Sequence, residues 1–341
     1  MTVRRRRIGL IATALAALTL VSPAAFAGTS VARPITARGI VRPTTTASTP
    51  ATTLVGAASA DWAWFDQVVG PVQIYRVFDG GFHFATWHAT KAYKQHPDAT
   101  EFDYSIHVLP QRLTDPSDPI NAKIRSFLAT TPKNLIITDW HEPDYTYRHN
   151  RQFTPAQYRA GLLALASMVR AQNAVDGGTR RVSLILMAIT YRGQWNTSPS
   201  DWWPTDARDG GHVDLVEGDM YELPHNTQTA CCPAGYTDGI NWKSGAAVIT
   251  PVYNFAHANN AQWAVAELGV LEDIHNPMRK ANELASAVNF ATSHGADHIS
   301  YFDVGGPRAN WRLRYSTPVG TTSMTSNAAV MWKSLVAAAG G

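Results

Sequence analysis

Only two of the 341 residues are cysteine, and they stand side by side as Cys231 and Cys232. That excludes the disulfide framework that staples many small secreted domains. Adjacent Cα atoms lie about 3.8 Å apart, below the usual disulfide range of about 4.4–6.8 Å. The pair therefore either closes a strained vicinal ring in an oxidising compartment or remains two free thiols. With no Cys/His partner motif beside them they do not spell a zinc site, and neither a metal nor a cofactor is expected. Long apolar runs are missing too. The longest, Ile8 to Val21, falls short of the roughly 20 residues a membrane-spanning helix needs. No Gly-rich dinucleotide or phosphate loop follows any apolar run. There is no G-x-S-x-G elbow and no Cys/His protease signature.

The short apolar run has another use. Arg4 to Arg7 precede it and Ala25-Phe26-Ala27 follow it, the order of an export signal over residues 1–27. The paired arginines permit twin-arginine as well as general export. Cleavage would remove four arginines and no acid, leaving 25 basic against 26 acidic residues, so the formal charge of +3 says nothing for nucleic-acid binding. The mature chain is expected to be secreted, without stable membrane insertion and as a monomer. Residues 28–53, rich in Thr, Ala and Pro, cannot bury enough surface to offset ordering and read as a flexible linker. Residues 54–341 then form one domain, of a length that suits a single barrel.

Within that domain short apolar runs alternate eight times with helical patterns. The runs are 54–60, 73–79, 102–109, 134–140, 182–190, 213–221, 262–268 and 297–303. Nearly continuous in apolar and β-branched residues, they suit parallel strands covered on both faces. Thr154-Pro155 opens a helix in which Tyr158, Leu162, Leu165, Ala166 and Val169 recur at helical spacing. A second helix runs from Pro277 to about His294 with Gly295 as its stop, and Ser326 to Ala339 closes the chain. The pattern predicts an α/β protein of the (β/α)₈ TIM-barrel type; an open doubly wound sheet is the alternative.

Chemistry in such a barrel sits at the C-terminal strand ends. Those ends carry Asp79, Asp139-Trp140-His141-Glu142, Asp219-Met220-Tyr221-Glu222, Glu267 and Asp303. Two carboxyl groups suffice to cleave a glycosidic bond, one protonating the leaving oxygen and one attacking the anomeric carbon or activating water. Glu142 and Glu267, each directly after a strongly apolar run, are the candidate catalytic pair. His141-Glu142 is not the start of H-E-x-x-H, because position 145 is Tyr145. Sugar rings pack their C–H faces on aromatic rings. Trp140, Tyr145, Tyr147, Trp195, Trp202, Trp203, Trp242 and Trp311 crowd the expected mouth. Of these, Trp140 and Trp311 are expected in the cleft and Trp202-Trp203 in an outer subsite. His141, Tyr221 and Asp79 are further candidate substrate-binding residues. His83, His88 and His107 could reach the mouth but have ordinary structural readings.

Trp140-His141-Glu142 resembles the strand-four signature of clan A glycoside hydrolases of family 26, the mannanase and β-glucanase family. Ala264 to Gly269 is similar to its nucleophile strand, and Val213 to Tyr221 to its sixth strand. The resemblance implies a retaining mechanism with Glu142 as acid/base and Glu267 as nucleophile, Tyr221 hydrogen-bonding the nucleophile, and a polysaccharide or oligosaccharide substrate. Two features depart from the family. Pro143-Asp144 stands where an apolar residue and Asn are usual, and the segment from Tyr191 to Gly211 is long. The alternative function is a catalytically silent barrel that binds glycans of the cell envelope.

Overall fold

The computed structural model describes residues 52–189, 194–195, 197–222, 243–271, 273, 276, 278–305, 311–314 and 326–340. The export signal, nearly all of the linker, Cys231, Cys232, Trp242 and Tyr191 lie outside the described residues.

Eight parallel strands form the wall: β1 Leu54–Ser59, β2 Ile74–Asp79, β3 Phe102–Ile106, β4 Ile136–Asp139, β5 Arg181–Ile189, β6 Leu215–Tyr221, β7 Gln262–Gly269 and β8 His298–Asp303. Each pairs with the next, Ile136 opposite Arg181 joins β4 to β5, and Leu54 opposite His298 joins β1 to β8. The ring closes, so this is a (β/α)₈ barrel and the open doubly wound sheet is excluded. A two-residue strand, Gln194–Trp195, adds to the end of β5 antiparallel. Thr53, placed by composition at the end of the linker, is already buried and donates from its hydroxyl to the Ala296 carbonyl.

The helices start and stop where their chemistry says. Pro155–Asp176 opens on a capping box between Thr154 and Gln157 and ends at Gly177, whose φ of 66° only glycine adopts cheaply. Arg279–Ser293 ends before Gly295 at φ 65°, and Asn327–Gly340 closes the described chain. The main core lies between these helices and the outward faces of the strands.

The interior is built differently. Leu54, Ile74, Ile136, Leu215 and Ala264 pack with one another, apart from that core. Further toward the strand ends the side chains are charged. Arg76, Asp103, Glu217, Asp219 and Glu267 are buried there, and His298 is buried at the start of β8. Barrels of this type are usually filled by layers of branched apolar residues. A charged interior marks where this chain has given up packing for electrostatics.

Candidate active site

Glu142 stands just past β4, where the chain makes two left-handed turns. Trp140 has φ 51° and Glu142 φ 55°, conformations that cost a non-glycine residue on the order of 1–3 kcal/mol each. The surroundings hold them. The Glu142 N–H donates to the Ile185 carbonyl of β5, and Pro143 begins a short helix over Pro143–Asn150. The Trp140 indole N–H donates to Thr146 Oγ1 at 2.9 Å. The strain turns Glu142 into the mouth, where it stays partly exposed.

Glu267 reaches the mouth by another device. Along β7, Gly218 pairs with Val265 but Asp219 pairs with Glu267, so Ala266 is an extra residue. Ala264 faces the barrel interior and Val265 the helices. Strict alternation would then send Glu267 outward. The bulge at Ala266 resets the alternation and points Glu267 inward, as bulges beside active sites do.

There Glu267 has two donors. Tyr221 gives its hydroxyl hydrogen to Oε2, and Arg76 Nη2 lies 3.3 Å from Oε1. Arg76 is itself enclosed, with Nε 3.3 Å from Asp103 Oδ2 and Nη1 2.5 Å from Ser105 Oγ. The two carboxyls consequently differ in ionisation. Burial pushes Glu142 well above the usual carboxylate range, and the charges on Glu267 and Asp144 push further. Burial also raises Glu267, but the Arg76 charge and the Tyr221 hydroxyl oppose it. Both stay above the ordinary carboxylate range, Glu142 the further of the two, so Glu142 holds its proton more tightly than Glu267.

Aromatic and imidazole rings line the rest. The His107 ring stacks on Trp140 at 4.9 Å and on His141 at 4.9 Å, with His107 Nε2 3.3 Å from His141 Nδ1. Burial, then the Arg76 charge, holds both imidazoles below their ordinary pKa, so both are neutral hydrogen-bonding groups at neutral pH. Trp311 tilts over Tyr221 at 4.8 Å and stays half-buried. A Cβ on Gly269 would lie 2.5 Å from Tyr221 Cδ1 and 2.7 Å from Trp311 Cδ1, so this approach requires glycine.

The structure thus brings Glu142, Glu267, His141, Tyr221, Trp140 and Trp311 to one end of the barrel. Two expectations are corrected. Trp202 has 0% exposure and packs against Tyr158, Phe153 and Tyr147, and Trp203 is buried against Phe255. Neither can be an outer sugar platform; both anchor the segment after β5. Asp79 accepts hydrogen bonds from the Gly81 and His83 N–H groups and the Tyr104 hydroxyl. Its carboxylate holds the loop after β2.

Several site residues went unread in the sequence. Besides Arg76 they are Asp103 and Phe78, while Asp219 is placed at a strand end by the sequence but given no role. Asp219 is fully buried and held well above the ordinary range by burial and then by Glu267 and Glu142. Phe78 is 43% exposed, with its ring 5.2 Å from His141 and the Arg76 guanidinium 4.5 Å from its centre. A signal existed, since Ile74, Arg76 and Phe78 share one face of a strand, as do Leu215, Glu217 and Asp219. A charge at an inward position of a buried strand is itself a pointer. The unusual Asp144 is buried and accepts from the Met187 N–H at 3.3 Å.

Among the described residues Asp103, Glu217 and His298 come close enough together to hold a cation. Arg76 already lies against Asp103. Burial would lower the His298 pKa, but the carboxylates of Glu217, Asp103 and Asp297 raise it well above the ordinary value. The surrounding carboxylates thus favour an imidazolium at His298.

No protein-family model matches the chain, and no curated protein matches it by sequence. Solved structures do match. The catalytic domain of a Bacillus GH26 endo-β-1,4-mannanase aligns at 13% identity with a TM-score of 0.50, over 84% of this chain and 85% of that one. GH26C from a Muricauda species gives 12% and 0.50, over 84% and 85%. A GH5-4 broad-specificity endoglucanase from Clostridium longisporum gives 12% and 0.51, over 81% and 85%. The barrel is therefore similar in fold to those of family 26 and family 5 glycoside hydrolases.

Proposed function

We propose that this protein is a secreted retaining glycoside hydrolase that cleaves β-glycosidic bonds inside a polysaccharide. The observation that carries the reading is the unequal setting of two carboxyls at one barrel mouth: Glu142 pressed towards its neutral form, Glu267 held by Arg76 and Tyr221. In the first step Glu267 attacks the anomeric carbon while Glu142 gives its proton to the departing oxygen. In the second, Glu142 takes a proton from water, and that water displaces Glu267 from the sugar. The rings of Trp140, Trp311 and Phe78 would receive C–H faces, and neutral His141 and His107 the hydroxyls.

Glu142→Ala and Glu267→Ala should each lose most turnover on a panel of plant, fungal and bacterial glycans while still binding glycan. Azide should restore Glu267→Gly towards an activated substrate and give the inverted glycosyl azide. With Glu142→Ala it should give the retained one. Swapped outcomes would exchange the two roles, and net inversion by the wild type would remove the retaining mechanism. Glycan binding without hydrolysis across the panel would favour a silent binding barrel.

A further inference from the structure

Beneath the catalytic pair lies a cluster that the hydrolysis scheme does not use. His298 Nε2 of β8 is 3.2 Å from Glu217 Oε2 of β6 and 3.8 Å from Asp103 Oδ2 of β3, and none of the three side chains is exposed. His298 Nδ1 lies 3.1 Å from Asp297 Oδ2, and Arg181 grips Asp297 in turn. On its other side Asp103 meets Arg76, and Arg76 meets Glu267. An unbroken series of charge contacts therefore runs from the start of β8, through the middle of the barrel, to the nucleophile.

A guanidinium is a rigid planar fork, so whatever grips Nε decides where Nη2 points. Asp103 Oδ2 faces Nε at 3.3 Å as an ion pair without a hydrogen bond, and Ser105 accepts from Nη1, which leaves Nη2 to donate to Glu267. We infer that Asp103, Glu217 and His298 form a positioning cluster that aims Arg76 at Glu267 and divides its positive charge between Asp103 and the nucleophile. The catalytic meaning of this rests on the glycosidase reading; the electrostatics do not.

The cluster has a defined charge logic. Glu267 faces Arg76 from β2, Asp103 from β3, Glu142 past β4, and Asp219 and Tyr221 from β6. His298 faces Glu217, Asp103 and Asp297, with Arg181 and Glu101 beyond. Asp103→Asn removes a like charge near Glu267 and leaves the Arg76 charge undivided, so Glu267 ionises more readily. His298→Gln removes the cation that balances Asp103 and Glu217. Asp103 then draws Arg76 harder, and Glu267 ionises less readily. Two substitutions in one cluster thus act in opposite directions, which loss of packing cannot imitate.

The test is the titration of the Glu267 carboxyl in the full chain, followed by ¹³C NMR of labelled glutamate and assigned by the signal that Glu267→Gln removes. Asp103→Asn should lower its midpoint by about one pH unit and His298→Gln raise it by about one, the scale of one charge at a partly buried site. The acid limb of hydrolysis should follow both. Where a buried substitution prevents folding, Asp297→Asn at the partly exposed partner of His298 carries the test: it weakens the hold on the His298 charge and should raise the Glu267 midpoint in the same sense as His298→Gln. Unshifted midpoints in folded variants, or shifts of the same sign for Asp103→Asn and His298→Gln, overturn the cluster even if the wild type hydrolyses glycans. Opposite shifts in a protein without hydrolytic activity uphold the cluster and remove only the glycosidase reading.

Discussion

Tyr221→Phe isolates one hydrogen bond at the centre of the proposed mechanism. The tyrosine is buried, its ring fixed by Trp311 at 4.8 Å and Phe302 at 5.6 Å, so phenylalanine should occupy the same volume. What disappears is the hydroxyl donated to Glu267. A hydrogen bond to a charged group contributes about 1.5–3 kcal/mol. At 1.36 kcal/mol per pH unit, its loss should raise the Glu267 pKa by about one to two units. The sign follows from which form is favoured: the hydroxyl stabilises the carboxylate, so its loss favours the protonated acid. In a pH profile of kcat/KM on an activated aryl glycoside, the acid limb should move up by that amount. The basic limb, set mainly by Glu142, should move little, so the bell narrows from one side; strictly, both limbs belong to the coupled pair. At a pH one unit below the wild-type limb, the variant should lose about one to two orders of magnitude beyond any loss at the optimum. An acid limb that stays in place while activity falls equally at every pH would refute this reasoning. Tyr221 would then act on the transition state and not on the ionisation of Glu267.

Three further outcomes follow from the same geometry. Trp202→Ala should cost about 3–5 kcal/mol of stability by chemical denaturation, because the ring is wholly enclosed, and should leave KM unchanged in the folded fraction; a raised KM with unchanged stability would return Trp202 to the cleft. Phe78→Ala should do the reverse, raising KM for oligosaccharides about five-fold through about 1 kcal/mol of lost ring contact with little change in melting temperature, since the ring is already half in solvent. Stability should also fall as pH rises. Glu142, Asp219, Asp139 and Glu217 are held above their unfolded values mainly by burial, and His298 is raised by its carboxylates. The native state therefore keeps protons that the unfolded chain releases, and stability declines from about pH 4 towards neutrality. Asp176, lowered to about 2 chiefly by Arg180, and Asp297, also lowered, act in the opposite sense and lose their contribution below about pH 4. Melting temperatures measured across pH should peak in mild acid, and Asp219→Asn should flatten the decline; a rise towards neutral pH would contradict the buried-proton account.

Much of this protein is legible along the chain because the relevant physics is local. Apolar runs alternating with helical spacing, the Thr154 cap and the Gly177 and Gly295 stops depend on near neighbours, and the strands and helices fall where those signals place them. Glu142 and Glu267 could be singled out because a carboxyl at the C-terminal end of a buried strand is conspicuous in any barrel. Aromatic residues carry no such address. Trp202 and Trp311 look alike in sequence, yet one is enclosed by Tyr158 and Phe153 and the other tilts over Tyr221.

Which face each strand turns inward is decided by the closed sheet. Arg76, Asp103, Glu217, Asp219 and His298 sit on separate strands, and only closure sets them against one another within the ring. Ala266 shows this most sharply. Alternation along β7 directs Glu267 at the helices, and pairing with β6 inserts the extra residue that turns it to the mouth. The sequence alone determined that a carboxylate would stand at the end of that strand, because strand and residue are local facts. Which side it faces was decided by the tertiary structure, because register belongs to the pair of strands and not to either one.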